Sequence, residues 1–246
     1  MNAFDLSGRC ALVTGANTGI GQAIAEAMAR AGAFVICAGR RSSAETVAAI
    51  TAAGGKASEV IVDFSDPKAG AALFDAQEID ILVNNAGIIR REDSVEFSEE
   101  DWDAVMDINA KAVFFTCQAF ARQVFARGGT GKIVNIASLL SFQGGIRVPS
   151  YTASKHAVAG LTKILANEWT AKGITVNAIA PGYIATNNTQ ALREDPERSK
   201  AILDRIPAGR WGKPEDIAQT AVFLAAPASD YISGAVLNVD GGWMAR

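Results

Sequence analysis

Residues 9–21 read Arg9-Cys10-Ala11-Leu12-Val13-Thr14-Gly15-Ala16-Asn17-Thr18-Gly19-Ile20-Gly21. The apolar run over 9–14 predicts a buried β-strand, and the Ala-rich stretch over 19–31 predicts a helix that ends at Gly32. The glycines between them permit a tight turn and close approach of a ligand to the backbone. Because the helix directs its free N–H groups at this turn, the stretch predicts a pyrophosphate site.

The spacing of these glycines, Gly-x-x-x-Gly-x-Gly, is one residue longer than the common dinucleotide fingerprint. An ordinary glycine-rich turn is the alternative, but the position after the first strand and before a helix favours nucleotide binding. The candidate residues of this turn are Gly15, Asn17, Thr18, Gly19, Ile20 and Gly21.

Strand and helix patterns alternate along the rest of the chain. Further strands are predicted over 33–38, 58–62, 79–83, 132–137, 174–180 and 235–239, and further helices over 44–53, 68–75, 98–127, 151–171 and 214–225. Continuous apolar strands are typical of strands covered on both faces. The alternation therefore predicts an α/β fold, a single domain over 1–246 with a doubly wound parallel sheet (Rossmann fold) of about seven strands.

The longest interruption of this alternation is the polar segment over about 183–212, which contains Asn187-Asn188-Thr189. Ligands of such sheets bind outside the carboxyl ends of the strands, where this segment emerges. We interpret it as a substrate lid, and a solvated connection is the alternative.

The composition indicates a cytoplasmic protein. The 246 residues are 49% apolar with a net charge of −3, which disfavours nucleic acid or an anionic membrane as a partner. No apolar run approaches the ~20 residues of a membrane span, and no signal peptide is evident. Cys10, Cys37 and Cys117 have neither disulfide nor metal spacing, so we expect buried free thiols and no metal.

Two arginines follow the second predicted strand, in Gly39-Arg40-Arg41-Ser42. An acidic residue in this region would favour NAD by bonding the ribose 2′-hydroxyl, whereas guanidiniums can bind a 2′-phosphate. The cofactor prediction is therefore NAD(P), with a preference for NADP(H), although solvated loop arginines would leave NAD(H) open. Asp63, which ends the third strand, would accept from the adenine amino group or cap the next turn.

A tyrosine and a lysine lie four residues apart in Ser150-Tyr151-Thr152-Ala153-Ser154-Lys155. Residues i and i+4 share one face of a helix, so the phenol and the ammonium can point into the same space. A nearby positive charge favours phenolate, and we expect the pKa of Tyr151 to fall toward neutrality. Such a tyrosine can give a proton to a carbonyl oxygen or take one from an alcohol.

Together these segments resemble the short-chain dehydrogenase/reductase family over essentially the whole chain. The resemblance rests on Thr14-Gly15-x-x-x-Gly19-Ile20-Gly21, Asp63, Asn84-Asn85-Ala86-Gly87, Asn109, Ser138, Tyr151-x-x-x-Lys155 and Pro181-Gly182. It implies a nicotinamide cofactor, hydride transfer and a homotetramer formed through the long helices near 98–127 and 151–172 and the last strand.

The resemblance also implies roles for the matching residues. Tyr151 would be the general acid/base, and Lys155 would lower its pKa and hold the nicotinamide ribose. Ser138 would hydrogen-bond the substrate oxygen, and Asn109 would hold a water that links Lys155 to solvent. A strand-end cap at Ser138 and a helix kink at Asn109 are the alternatives. The remaining cofactor contacts would come from Phe64, Asn85, Ala86, Gly87, Pro181, Gly182, Ile184 and Thr186.

Particular segments are similar to a subgroup of this family, the bacterial 2-deoxy-D-gluconate 3-dehydrogenases, also described as 2-dehydro-3-deoxy-D-gluconate 5-dehydrogenases. They lie at 88–91, 141–150, 187–189, 207–212 and 239–243. This similarity implies a keto-sugar acid as substrate. Arg90 or Arg147 would clamp its carboxylate, and Gln143, Asn187 and Asn188 would bind its hydroxyls. For either arginine, a surface or intersubunit salt bridge is the alternative.

Two other classes of protein stay open at this point. One is a related reductase with another carbonyl substrate, such as a gluconate 5-dehydrogenase, a polyol, a steroid or a 3-oxoacyl-carrier reductase. The other is a non-catalytic nucleotide-binding regulator, which would be expected to lack one of Ser138, Tyr151 and Lys155.

Overall fold

The computed structural model describes residues 3–245 and contains one seven-stranded sheet. All six strand pairings are parallel, and the strands lie in the order β3-β2-β1-β4-β5-β6-β7. The strands are β1 Cys10–Thr14, β2 Phe34–Gly39, β3 Lys56–Ile61, β4 Ile81–Asn84, β5 Gly131–Ile136, β6 Ile174–Pro181 and β7 Val236–Val239. The order reverses between β1 and β4, which opens a crevice at the carboxyl ends of these two strands.

Nine α-helices connect and flank the strands in the described part of the chain. They are α1 Gly19–Arg30, α2 Ala44–Ala52, α3 Pro67–Ala76, α4 Glu99–Met106, α5 Ala112–Ala126, α6 Pro149–Trp169, α7 Gln190–Glu194, α8 Pro196–Leu203 and α9 Pro214–Ala225. The predicted doubly wound α/β fold is confirmed, and most predicted ends lie within about two residues of the observed ones.

The hydrophobic core forms two layers, one on each face of the sheet. Along β1, Ala11 and Val13 pack into the layer beneath α1, α2 and α9, whereas Leu12 packs into the layer beneath α3, α5 and α6. Successive strand residues point to opposite faces. Because both faces are covered by helices, every residue of β1 is buried and apolar except Thr14 at its end.

The helix predicted over 98–127 is not continuous. Ser98 caps its start as predicted, since its side chain accepts a hydrogen bond from the backbone N–H of Asp101. Residues Asp107–Lys111 then form a π-helical turn between α4 and α5. A π-bulge admits an extra residue into the helix and often marks a functional position. Asn109 lies in the middle of this turn, so the kink considered as its alternative role is present.

The polar segment 183–212 is closed at its base. Ile184 and Gly212 form a parallel bridge, in which Ala185 N–H donates to Gly212 C=O at 2.8 Å and Gly212 N–H donates to Tyr183 C=O at 2.9 Å. Between these ends the segment contains α7 and α8. A small hydrophobic cluster that includes Ile202 and Trp243 packs this segment against the C-terminal turn.

None of the described helices is long and apolar enough to cross a membrane. Within residues 3–245, no group of three or more potential metal-ligating side chains comes together. The three cysteines are free and buried, as predicted. Burial raises the pKa of Cys10 to about 11 and those of Cys37 and Cys117 to about 12, so the thiols are held in the unreactive protonated form.

Candidate active site

A cleft of about 400 Å³ lies at the carboxyl ends of the strands. It brings together most of the residues that the sequence analysis selected. Its lining includes all six candidates of the glycine-rich turn, Arg40, Arg41, Asp63, Phe64, Asn85, Ala86, Gly87, Ser138, Tyr151, Lys155, Pro181, Gly182, Ile184, Thr186, Asn187 and Asn188. The cleft therefore extends from the β1 turn to the segment 183–212.

The glycine-rich turn has the shape of a phosphate cradle. Gly15 adopts φ +66°, a left-handed conformation that L side chains rarely adopt. A Cβ at Gly15 would lie 3.0 Å from the Cα of Ala86, and a Cβ at Gly21 would collide with the carbonyl oxygen of Gly15. Since α1 begins at Gly19, its free N–H groups face the turn and favour a negatively charged group there.

The turn after β4 is fastened to the end of β1. The Thr14 hydroxyl accepts from the backbone N–H groups of Asn85 (3.0 Å) and Ala86 (2.9 Å). The Asn85 side chain donates to the carbonyl oxygens of Thr14 at 2.9 Å and Gly15 at 3.2 Å. These bonds hold the two strand ends that flank the crevice in one rigid unit, which fits a groove for an extended dinucleotide.

The predicted adenosine end of the groove is formed after β2 and β3. Arg40 and Arg41 are exposed at the cleft, and Asp63 also lines it. One Asp63 oxygen accepts from the Ser65 backbone N–H at 2.9 Å, and this bond lowers the pKa of the carboxyl. Asp63 therefore does cap a turn, and its position in the cleft also keeps the adenine role available.

Ser138, Tyr151 and Lys155 converge at the middle of the cleft. Ser138 follows β5 and Tyr151 lies in the first turn of α6, while Lys155 places its Nζ 5.5 Å from the centre of the Tyr151 ring. The phenol and the ammonium thus share a face, as the i, i+4 spacing predicted. Ser138 also acts as a cap, because its hydroxyl accepts from the Leu140 backbone N–H at 3.1 Å.

The expected lowering of the Tyr151 pKa is wrong for the protein without its cofactor. Burial raises the pKa of Tyr151, and the hydrogen bond with Ser138 and the charge of Arg91 oppose this only in part. Lys155 is itself 6% exposed, donates to the Ile136 carbonyl at 2.7 Å, and burial lowers its pKa to about 8. The low-dielectric surroundings thus disfavour the charged forms of both groups.

Asn109 makes a paired contact with the backbone of Ile88. Its Oδ1 accepts from Ile88 N–H at 2.9 Å, and its Nδ2 donates to Ile88 C=O at 2.9 Å and to the Ser154 hydroxyl at 3.2 Å. The side chain is buried and does not line the cleft. Asn109 therefore positions the segment after Gly87, and its predicted water-holding role stays a prediction.

Three of the predicted substrate residues do not line the cleft. Arg90 pairs with Asp101 at 2.9 Å, and Arg147 pairs with Glu92 at 3.0 Å and Asp93 at 3.2 Å. Arg147 also has φ +63°, which directs its side chain differently from a regular helix start. For both arginines the structure has the salt bridge that was the alternative. Gln143 is half-buried beyond the cleft lining, whereas Asn187 and Asn188 line it.

Arg91 is the functional candidate that sequence reasoning missed. Its Nη2 donates to the backbone carbonyl of Asn188 at 3.3 Å, so this exposed arginine is bonded to a residue of the cleft lining without being part of that lining itself. Its charge partly opposes the rise that burial causes in the pKa of the Tyr151 phenol. The signal in the sequence was the pair Arg90-Arg91, but the pattern could not tell which side chain faces the tyrosine.

The class of protein defined by this fold and site is an oxidoreductase that binds a nicotinamide dinucleotide. A family model described as enoyl-(acyl carrier protein) reductase matches residues 15–244. The chain belongs to the short-chain dehydrogenase/reductase family, whose NAD(P)-dependent members act on CH–OH groups.

Proteins similar to this one cover its whole length. A 2-dehydro-3-deoxy-D-gluconate 5-dehydrogenase of Dickeya dadantii is 57% identical over 100% of this chain and 99% of its own. The protein of the same name from Escherichia coli is 55% identical with the same coverage. A crystal structure from Agrobacterium tumefaciens, provisionally assigned as a 2-deoxy-D-gluconate 3-dehydrogenase with bound NADP, is 69% identical, covers both chains completely and has a TM-score of 0.98.

Proposed function

We propose that this enzyme interconverts a keto- and a hydroxy-sugar acid of the 2-deoxy-D-gluconate or 2-dehydro-3-deoxy-D-gluconate type, with NADP(H) as the preferred cofactor. The cofactor supplies or accepts the hydride when it is bound in the groove. The names of the relatives support the substrate class. The observation in the site that carries the proposal is the hydrogen bond from the Arg91 guanidinium to the backbone carbonyl of Asn188, a residue of the cleft lining.

The Tyr151 hydroxyl donates or accepts the proton of the reaction. In the direction of reduction, the phenol donates its proton to the substrate carbonyl oxygen, and in the direction of oxidation the phenolate accepts the alcohol proton. The Ser138 hydroxyl lies beside the phenol and polarises the same substrate oxygen. Lys155 stabilises the phenolate and holds the ribose of the cofactor, and its position in the cleft lining, 5.5 Å from the centre of the Tyr151 ring, supports this role.

Arg91 supplies what a sugar acid needs and a neutral sugar does not. It carries a positive charge that is bonded to the Asn188 backbone in the cleft lining, and this charge partly opposes the rise in the Tyr151 pKa. A guanidinium can hold a carboxylate through two parallel hydrogen bonds, which also fixes the orientation of the substrate. Asn187 and Asn188 line the cleft within the segment 183–212, which supports their role in binding substrate hydroxyls. We propose that this segment acts as the substrate lid.

Assembly and location belong to the same proposal. An apolar groove between the end of α4, the π-helical turn, α5 and α6 is lined by residues that include Ala110, Phe114, Leu161 and Ile164. This groove supports a homotetramer formed through the long helices, as the family resemblance implies. Three free buried cysteines support a cytoplasmic location.

Substrate specificity is tested with a panel of keto-sugar acids, neutral keto-sugars, 3-oxoacyl thioesters and steroids, following NADPH oxidation. We expect the highest kcat/KM with a keto-deoxy sugar acid. Preference for a neutral sugar, a thioester or a steroid would contradict the proposal, and no turnover with any of them would favour the nucleotide-binding regulator.

The role of Arg91 is tested with Arg91→Ala. A hydrogen bond to a charged group contributes about 1.5–3 kcal/mol, so KM for the sugar acid should rise by roughly 10- to 100-fold. Turnover of a neutral keto-sugar should change little.

Arg90→Ala is the matched control, since the Arg90 guanidinium pairs with Asp101 instead. It should change KM less than about twofold, the scatter of a surface substitution. Equal effects of the two substitutions would contradict a specific role of Arg91.

A further inference from the structure

The segment that contains Arg40 and Arg41 is fixed by hydrogen bonds to residues outside the cleft lining. Residues 40–43 connect the end of β2 to the start of α2. Arg40 and Arg41 line the cleft, and both are exposed. Flexible arginines on a mobile connection would lose much conformational entropy on binding a phosphate, and this loss reduces affinity. How this segment is fixed therefore bears directly on cofactor choice.

The middle of the segment is bonded to Glu59 on β3. One carboxylate oxygen of Glu59 accepts from the Ser42 hydroxyl at 2.9 Å and from the Ser43 backbone N–H at 2.7 Å. These bonds join residues 16–17 positions apart in sequence, so the segment is fastened to the neighbouring strand. Charge-assisted hydrogen bonds of this length are roughly twice as strong as neutral ones.

The helix that follows the segment, α2, is bonded to the phosphate cradle. Thr46, in the first turn of α2, is fully buried, and its hydroxyl donates to the Ala16 carbonyl at 2.8 Å. Ala16 belongs to the glycine-rich turn. Because Thr46 fixes α2 relative to the cradle and Glu59 fixes residues 42–43 relative to the sheet, the two arginines have a defined distance from the pyrophosphate site.

We propose that Glu59 is a positioning residue for NADP(H) specificity: it fixes the Arg40-Arg41 segment in the place where a 2′-phosphate is bound. This inference rests on the proposed preference for NADP(H). Glu59 does not line the cleft. A negative charge near a phosphate site would by itself weaken NADPH binding, so the favourable effect of Glu59 comes from its two hydrogen bonds.

The test measures dissociation constants of NADPH and NADH by fluorescence titration of the full-length protein, together with the Tm of each variant. Glu59→Ala should weaken NADPH binding about fivefold to tenfold. This is the change expected when the net contribution of about one hydrogen bond is lost. The binding of NADH, which lacks the 2′-phosphate, should weaken less than about twofold. Glu59→Gln keeps an acceptor oxygen and should restore NADPH binding.

Glu45→Ala is the matched control for charge. Glu45 is exposed in the same first turn of α2 as Thr46, and its removal changes the charge near the segment equally. It should leave NADPH binding as tight as in the wild type or slightly tighter. If Glu45→Ala weakened NADPH as much as Glu59→Ala, the positioning role would be refuted.

The double variant Arg40→Ala/Arg41→Ala separates the two proposals. It should weaken NADPH far more than NADH. If it does so while Glu59→Ala leaves the NADPH-to-NADH ratio unchanged, or weakens both cofactors equally with a lower Tm, only the positioning role of Glu59 is refuted. If the double variant weakens both cofactors equally, the 2′-phosphate site and the inference built on it both fail.

Discussion

At the scale of the residue, the centre of the cleft is formed by Tyr151 and Lys155, whose side chains share one face of α6. The Tyr151 and Lys155 side chains could be placed together from sequence, because an α-helix fixes the angle between residues four apart. The arginines lie in irregular segments, where no such period applies. Which of Arg90, Arg91 and Arg147 faces the tyrosine depends on the path of the loops, including the left-handed backbone of Arg147. Arg90 and Arg147, the two arginines predicted for the site, both form the salt bridges that were the alternative.

The prediction that the Tyr151 pKa is lowered was wrong for a related reason. The opposite charge of Lys155 was evident from the sequence, but the extent of burial around the pair was not. Burial penalises the charged forms of both groups, and it is the largest influence on the pKa of each.

Lys155 should destabilise the protein without cofactor at neutral pH. Its pKa falls from 10.5 to about 8 on folding. Below pH 8 both the folded and the unfolded chain hold the proton, and the folded chain bears the full cost of a buried ammonium. As the pH rises from about 8 to 10.5 the folded chain releases its proton first, so stability rises over this range.

Lys155→Met should therefore raise the free energy of unfolding at pH 7 by about 2 kcal/mol. Removing the buried ammonium contributes about 3 kcal/mol, and the loss of the hydrogen bond to Ile136 subtracts about 1 kcal/mol. Denaturant unfolding at pH 7 and pH 10 measures this difference, which should shrink at the higher pH. Lys163→Met, at an exposed position of the same helix, should change little. A less stable Lys155→Met variant at pH 7, or a difference independent of pH, would contradict the burial argument.

At the scale of the element, the predicted strands and helices were nearly complete because their hydrophobic periods are strong. The π-helical turn at Asp107–Lys111 was not predicted as such, since one inserted residue barely alters the periodicity of a long helix. Asn109, an unfavourable residue within a helix, was the sole sequence signal. The structure explains this residue: its amide pairs with both backbone groups of Ile88 and so fixes the segment leading to Arg91.

The start of α9 provides a pH-dependent prediction about the base of the segment 183–212. The Asp216 carboxylate accepts from the Lys213 backbone N–H at 2.7 Å and from the Arg210 guanidinium at 2.7 and 3.0 Å. The bonds with Arg210, and then that with Lys213, lower the pKa of Asp216 to about 2. A carboxyl with a lowered pKa stabilises the folded chain above its unfolded pKa of about 3.9, and the stabilisation is lost as the pH falls toward about 2.

Asp216→Asn should accordingly lower the free energy of unfolding at pH 7 by about 1 kcal/mol, as for a lost helix cap. Thermal unfolding between pH 7 and pH 3 should show the two Tm curves converging below about pH 4. Glu215→Gln, one residue away in the same turn, should have a Tm that changes with pH in the same way as that of the wild type. A constant gap between wild type and Asp216→Asn would mean that the carboxylate charge plays no part.

At the scale of the whole molecule, the alternation of elements was enough to predict the sheet, because parallel strands joined by right-handed crossovers leave few topologies. The location of the site followed as well, since the crevice opens where the strand order reverses, between β1 and β4. Partly exposed apolar side chains on the long helices, such as Phe115 and Ile164, are the features that an assembly would cover.

The proposed tetramer is tested by light scattering coupled to size-exclusion chromatography. The wild type should have four times the 25.7 kDa mass of the chain. Ile164→Asp places a charge in the groove between α5 and α6 and should reduce the mass, since an unpaired buried charge destabilises an interface. Ile61→Asp, at an isoleucine of similar exposure on β3, should remain a tetramer. A monomeric wild type, or a tetrameric Ile164→Asp variant, would contradict this interface.

The central claim of the account is that the Tyr151 hydroxyl transfers the proton while a nicotinamide cofactor bound in the adjoining groove exchanges hydride with a sugar acid. The most direct measurement is NADPH oxidation by a 2-keto-3-deoxy sugar acid with wild-type protein and Tyr151→Phe, alongside NADPH titration of both. The account predicts turnover by the wild type, loss of at least about 99% of it in the variant, and unchanged NADPH affinity. Near-normal turnover by Tyr151→Phe, with NADPH bound as tightly as before, would contradict it.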